Sequence, residues 1–224
     1  MRSLFIVTSA LKPKIGAYSF LERYEQTIAC LDCLLYRVPN ATIMVCDMSL
    51  SENSFSELEQ VRKRCHFFMD LSNDDDMKKL SSAGLKSHAE TLMLHKALIF
   101  VKNNLVLSEY DRIFKMSCRS MLTDEFNINA HEKKGKYVFA KRVPTWMSPP
   151  ILDASYSLTT RFYSMCVSLV DDYMEILIKN FNSFNSGLDA EHAHFVNMNK
   201  EYLIELDTLG GYGFVAGHGK IEYY

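Results

Sequence analysis

Polar and charged side chains recur in this sequence at one kind of place, directly after an apolar run. Thr8, Ser9 and Ala10 follow Leu4-Phe5-Ile6-Val7. Asp47 closes Ala41–Met48, Asp70 and Ser72 close His66–Leu71, and Ser117-Cys118-Arg119 follow Asp111–Met116. Hydroxyls and a carboxylate placed so can hydrogen-bond a base or a ribose. Turn formation by Asp47 ahead of Ser49 and Ser51 is the plainer alternative. Lys115, Ser117 and Arg119 are spaced two apart, which in an extended chain points them to one face. Two converging cations suit a phosphate or carboxylate. Pairing of Arg119 with Asp124 is the competing reading.

Other segments could add to such a site. Lys86-Ser87-His88-Ala89-Glu90 opens a helical pattern, and a helix start with Lys86 and His88 beside it suits a diphosphate. The same residues also read as a Ser87 cap completed by Glu90. Asp189-Ala190-Glu191-His192-Ala193-His194 begins a late helix. Either Asp189 or Glu191 could serve as a general base, and helix capping is the alternative. His192 and His194 are two apart and point to different sides of a helix, so they do not chelate one zinc. Asp74-Asp75-Asp76 could hold a hard cation or simply form a solvated loop. Gly210, Gly211, Gly213, Gly217 and Gly219 crowd around His218, which suggests a tightly turning loop near a ligand, with His218 as a phosphate contact or a surface residue. Cys30-x-x-Cys33 lies inside a helical pattern with no second pair, so it reads as core packing.

These residues need a scaffold, and the periodicities supply one. Leu4–Ala10, Ala41–Met48, His66–Leu71, Asp111–Ser117 and Tyr137–Lys141 read as buried strands. Phe20–Tyr36 reads as a helix with a Ser19/Glu22 capping box. Ser51–Cys65, His88–Asn103, Phe162–Ile178 and Leu188–Met198 read as further helices. Ser72–Leu80 is a loop or short exposed helix, and Tyr202–Leu206 and Phe214-Val215 are late, short strands. Strand–helix alternation predicts an α/β fold with a mostly parallel sheet and ligands outside the strands' carboxyl ends. No linker or repeat divides the 224 residues, so residues 1–224 read as one domain.

Composition excludes several classes. With 25 Lys plus Arg against 27 Asp plus Glu, the chain lacks the basic surface of a duplex-DNA binder. No apolar run approaches the ~20 residues of a membrane span, and the apolar start is too short for a signal peptide. Six scattered cysteines fit a reducing compartment, so a soluble, cytoplasmic protein is expected. The first strand–helix turn lacks the glycine fingerprint of dinucleotide binders. There is also no phosphate-binding loop and no nucleophile elbow.

Taken in order, Ile6–Ala10, Glu22–Thr27, Ala41–Asp47, Phe114–Arg119 and Leu188–His192 resemble the nucleotide-diphosphosugar glycosyltransferases of GT-A fold, of the small bacterial and viral polysaccharide type. The resemblance implies a three-layer Rossmann-like fold. It also implies a nucleotide-sugar donor held by Thr8, Ser9, Ala10 and Asp47, and a hydroxyl or glycan acceptor. An acidic base would fall on Asp189 or Glu191, with inversion. Where the family carries an Asp-x-Asp for a divalent metal, this chain has Ser117-Cys118-Arg119. Lys115 and Arg119 would then neutralise the diphosphate in the metal's place. Rival readings are a non-catalytic nucleotide- or glycan-binding module of the same fold, or another α/β enzyme such as a methyltransferase.

Overall fold

The computed structural model describes residues 1–12, 17–48, 55–147, 150–215 and 219–224. β1 (Ser3–Ser9) is buried at every position. Its alternate residues serve two cores. Leu4 and Ile6 face one cluster, and Phe5 and Val7 face the other. That is why the opening run carries no polar alternation. β2 (Thr42–Asp47), β3 (Phe67–Asp70) and β4 (Arg112–Ser117) join β1 in parallel.

Between them lie α1 (Phe20–Arg37), α2 (Phe55–Arg62), α3 (Asp75–Ser82) and α4 (Lys86–Asn104). α1 starts on the expected capping box. Ser19 Oγ accepts from the Glu22 N–H, and Glu22 Oε2 accepts from the Ser19 N–H at 2.7 Å. Its face with Thr27, Cys30, Leu31 and Leu34 is buried. Cys30 and Cys33 point at the Ser117 and Leu122 carbonyls, and all six cysteines are free, so the C-x-x-C is packing. α4 packs Met93, Ala97, Leu98 and Val101 on the opposite layer.

The remaining strands are β5 (Ser120–Leu122), β6 (Tyr137–Ala140), β7 (Val143–Pro144), β8 (Tyr156–Ser157), β9 (Phe162–Cys166), β10 (Leu203–Leu206), β11 (Gly211–Phe214) and β12 (Ile221–Tyr223). Two helices, α5 (Val170–Asn185) and α6 (Ala190–Asn197), complete the chain. The main sheet has seven strands in the order β10-β6-β9-β4-β1-β2-β3, flanked by helices on both faces. β9 alone runs antiparallel within it. The result is the mixed α/β, mostly parallel, Rossmann-like architecture expected of a GT-A fold.

Two sequence expectations need correction. Phe162–Ile178 is not one helix: residues 162–166 form β9, wedged between β4 and β6, and the helix starts at Val170. Phe162, Tyr163, Ser164 and Met165 are buried on both faces, and a short apolar run of that kind fits a helix or a strand equally by pattern. Ser87 does not cap α4, which begins at Lys86 after Leu85 with no side-chain cap. Glu90 is used elsewhere. Residues 51–54 of the expected second helix lie outside the described residues.

The glycine-rich end is explained by packing. Gly210 has φ +70°, and a Cβ there would overlap the Phe126 backbone. At Gly211 a Cβ would press on the Tyr224 ring, and at Gly213 on the Tyr224 hydroxyl. Gly217 and His218 lie outside the described residues.

Candidate active site

Strand register gathers the polar strand ends into one row. Ser9 pairs with Asp47, Thr8 with Ser117, and Asp47 with Asp70. Ala10 follows immediately. Asp47 is fully buried, and its Oδ2 accepts from the Leu11 N–H at 3.0 Å. It therefore shapes the turn leaving β1, whereas Ser49 and Ser51, ahead of which the sequence placed its turn, lie outside the described residues. Ser117 is buried and donates its N–H to the Arg161 carbonyl.

A connected polar path crosses this edge. Lys115 is 1% exposed, and its Nζ pairs with Glu90 Oε1 and donates to the Thr160 carbonyl at 2.6 Å. Thr8 Oγ1 lies 3.4 Å from the same Glu90 oxygen. Thr160 Oγ1 donates to Glu191 Oε1 at 3.2 Å. Thr8, Lys115 and Glu191 thus meet through Glu90 and Thr160, and a small cleft lined by Glu90, Lys115, Thr160, Tyr163, Ala190 and His194 opens here. Burial alone would raise the Glu90 carboxyl, but the Lys115 ammonium outweighs it and holds it below its usual value. Burial, reinforced by Asp189, pushes Glu191 above the usual carboxylate range.

The Lys115 expectation is corrected by this pairing. Its charge is neutralised by Glu90 and is not displayed to a ligand. Nor do Lys115 and Arg119 share a direction. β4 ends at Ser117, and the turn at 118–119 breaks the alternation. Lys115 points toward α4, whereas Arg119 Nη1 donates to the Phe214 carbonyl on β11. Asp124 pairs with Arg37 and not with Arg119.

The late helix divides its two acids. Asp189 caps α6. Its Oδ1 accepts from the His192 N–H at 2.9 Å and lies 2.7 Å from His192 Nδ1. His192 Nε2 lies 2.8 Å from Thr145 Oγ1, and the ring meets Trp146 edge-on at 4.3 Å. His194 turns the other way, with Nε2 2.7 Å from Tyr173 Oη and Nδ1 2.8 Å from the Ala190 carbonyl. Lys86 is exposed at the first turn of α4. His88 packs against Phe181 and Phe184. Asp74 caps α3 and pairs with Lys96.

The donor set beyond β4 does not fit a hard divalent cation. Ser117 and Cys118 are buried, Arg119 is cationic, and no carboxylate stands among them. Among the described residues no group of three or more His, Cys, Asp or Glu is arranged to hold a metal.

Neither Glu90 nor Thr160 reads as a site residue in the sequence. Glu90 looked like a cap partner, and only the sheet register reveals Lys115 above it. Replacing Glu90 by Ala strands a buried ammonium. The expected cost is about 3 kcal/mol, the low end for breaking a buried pair, because the Glu90 side chain keeps 39% exposure. For a chain of this size that lowers the thermal midpoint by roughly 6–12 °C, readable by circular dichroism.

No protein-family profile matches the chain, and no curated protein matches it by sequence. Solved structures do. Core-mannan synthase A (CmsA/Ktr4) from Aspergillus fumigatus, in its Mn/GDP form, superposes with a TM-score of 0.53 at 8% identity, covering 92% of this chain and 73% of that one. At that identity the likeness is one of fold. What the two share is a mixed α/β, Rossmann-like architecture with a mostly parallel central sheet. No described helix is long and apolar enough to cross a membrane.

Proposed function

We propose that this chain, as one domain, transfers a glycosyl group from a nucleotide-diphosphosugar to a hydroxyl acceptor, in glycan or polysaccharide synthesis. The observation that carries the reading is the approach of Thr8 and Glu191 to one another through Glu90, Lys115 and Thr160 at the carboxyl edge of the parallel strands. The likeness in fold to a mannan synthase in its Mn/GDP form supports a nucleotide-linked donor.

In this reading the acceptor oxygen attacks the anomeric carbon as the Glu191 carboxylate takes its proton. The bond from that carbon to the diphosphate oxygen breaks, and its electron pair leaves with the diphosphate. Attack opposite the leaving group inverts the anomeric centre. Glu191 suits the base role better than Asp189, whose Oδ1 is committed to His192. A carboxyl raised by burial is the stronger base once ionised. Titration calorimetry with UDP, GDP and their sugar conjugates tests the donor half. Absence of binding at millimolar nucleotide would overturn it, and binding without turnover would return the chain to the binding-module reading.

Trp146 supports the acceptor half. It is the sole tryptophan, is 65% exposed, and stands against the His192 ring beside Asp189. A flat exposed indole suits stacking on a sugar ring. An oligosaccharide acceptor is expected to shift Trp146 emission. Trp146→Ala is expected to raise the acceptor KM about three- to tenfold with donor affinity unchanged.

A further inference from the structure

Among the described residues three Lys or Arg side chains are buried: Arg23, Arg112 and Lys115. Two of them are satisfied. Arg112 donates to Ser164 Oγ and to the Lys133 and Lys136 carbonyls, and Lys115 pairs with Glu90 and the Thr160 carbonyl. Arg23 is not. It is 4% exposed, its Nε is buried with no hydrogen-bond partner, and its guanidinium faces an aromatic ring and not a carboxylate. A buried guanidinium with an unbonded Nε is costly, so a group kept in that state suits an anionic ligand.

The surroundings say where that partner sits. Arg23 lies on the first turn of α1, whose buried face packs against the end of β4 through Cys30 and the Ser117 carbonyl. Its guanidinium carbon stands 5.3 Å over the Tyr18 ring, and Tyr18 meets Phe214 edge-on. The Phe214 carbonyl accepts from Arg119. Two guanidiniums therefore flank one aromatic pair at the carboxyl edge of the sheet. Burial, followed by repulsion from Arg119, lowers the Arg23 pKa from its usual value.

We propose that Arg23 and Arg119 form a metal-independent diphosphate site, with Arg23 the buried anchor. This rests on the reading of the same edge as a donor site and names what binds the leaving group. Planar guanidiniums hold phosphate oxygens in bidentate fashion, and an anion between them would relieve the repulsion.

The test uses inorganic pyrophosphate, UDP and GDP in EDTA, by calorimetry and thermal shift, on the full chain and its Arg23→Met and Arg23→Lys variants. Pyrophosphate is expected to bind the parent chain and raise its melting temperature. Arg23→Met is expected to weaken pyrophosphate and nucleoside diphosphate about 10- to 100-fold while leaving the ligand-free melting temperature equal or higher, because it removes an unpaired buried charge. Arg23→Lys keeps the charge without the fork and falls between. If Arg23→Met melts several degrees lower, Arg23 is a structural residue and the proposal is overturned. It is equally overturned if the variant folds and binds pyrophosphate as tightly as the parent. Nucleoside diphosphates that bind while pyrophosphate does not, with Arg23→Met indifferent, would sink this site and spare the donor reading. Failure of every phosphate ligand on the parent chain would sink both.

Discussion

Glu191→Gln is expected to lower kcat for sugar transfer by about 10²–10⁴-fold while nucleotide affinity and melting temperature stay near the parent's. The amide keeps the shape and can still accept from Thr160 Oγ1, which Glu191 Oε1 does in the parent. What it cannot do is take a proton from an acceptor hydroxyl. Asp189→Asn gives the contrast. Asn caps a helix as well as Asp, so it keeps the α6 cap and loses only the charge beside His192 Nδ1, and both turnover and stability are expected to stay near the parent's. If Glu191→Gln turns over normally and Asp189→Asn does not, the base assignment moves to Asp189. The pH profile adds a second readout. Glu191 must be ionised to act, and burial raises its pKa, so the acidic limb of kcat should lie above the usual carboxylate range. That limb should vanish in Glu191→Gln.

The parallel half of the sheet was legible in the sequence because it is buried on both faces. Residues 4–7, 42–47 and 112–117 read as near-continuous apolar runs, and each is a strand. The antiparallel insertion was not legible. Phe162–Cys166 carries the same apolar density as the helix after it, and nothing local marks where one stops. The polar edge was half legible. Strand ends announce themselves by type, but neutralisation depends on partners far away in sequence. Lys115 meets Glu90 from 25 residues upstream, and Arg119 meets a carbonyl 95 residues downstream. Arg23 hid for another reason. A charged residue in the first turn of an amphipathic helix normally faces water, and only the packing of Tyr18 and the β4 end reveals that it is buried.

Acid should begin to destabilise this protein below about pH 6.5, before its carboxylates titrate. His131 sits among Phe114, Phe126 and Phe162 with Nδ1 2.8 Å from Ser164 Oγ, and burial, reinforced by Arg112, lowers it to about 3. His194 is buried against Tyr173, and burial lowers it to about 4, with Lys115 adding to the effect. Both are neutral when folded and take up a proton on unfolding below about 6.5. Their stabilisation is therefore complete above pH 6.5 and drains as the pH falls toward 4. Each proton costs about 1.4 kcal/mol per pH unit, so together they remove on the order of 5 kcal/mol between pH 6 and pH 4, comparable with a whole domain's margin. Glu191 works the other way: its raised pKa favours the folded state as it protonates, which offsets part of the loss. Glu90 joins the loss only below about 4.5, since its folded pKa is lowered. Urea titrations at pH 7, 6 and 5 should show stability falling by about one proton's worth from pH 7 to 6 and by close to two from pH 6 to 5. His194→Gln, whose amide can still meet Tyr173, should halve that slope. A slope unchanged by this substitution would mean that His194 does not titrate on unfolding and that its burial carries no pH dependence.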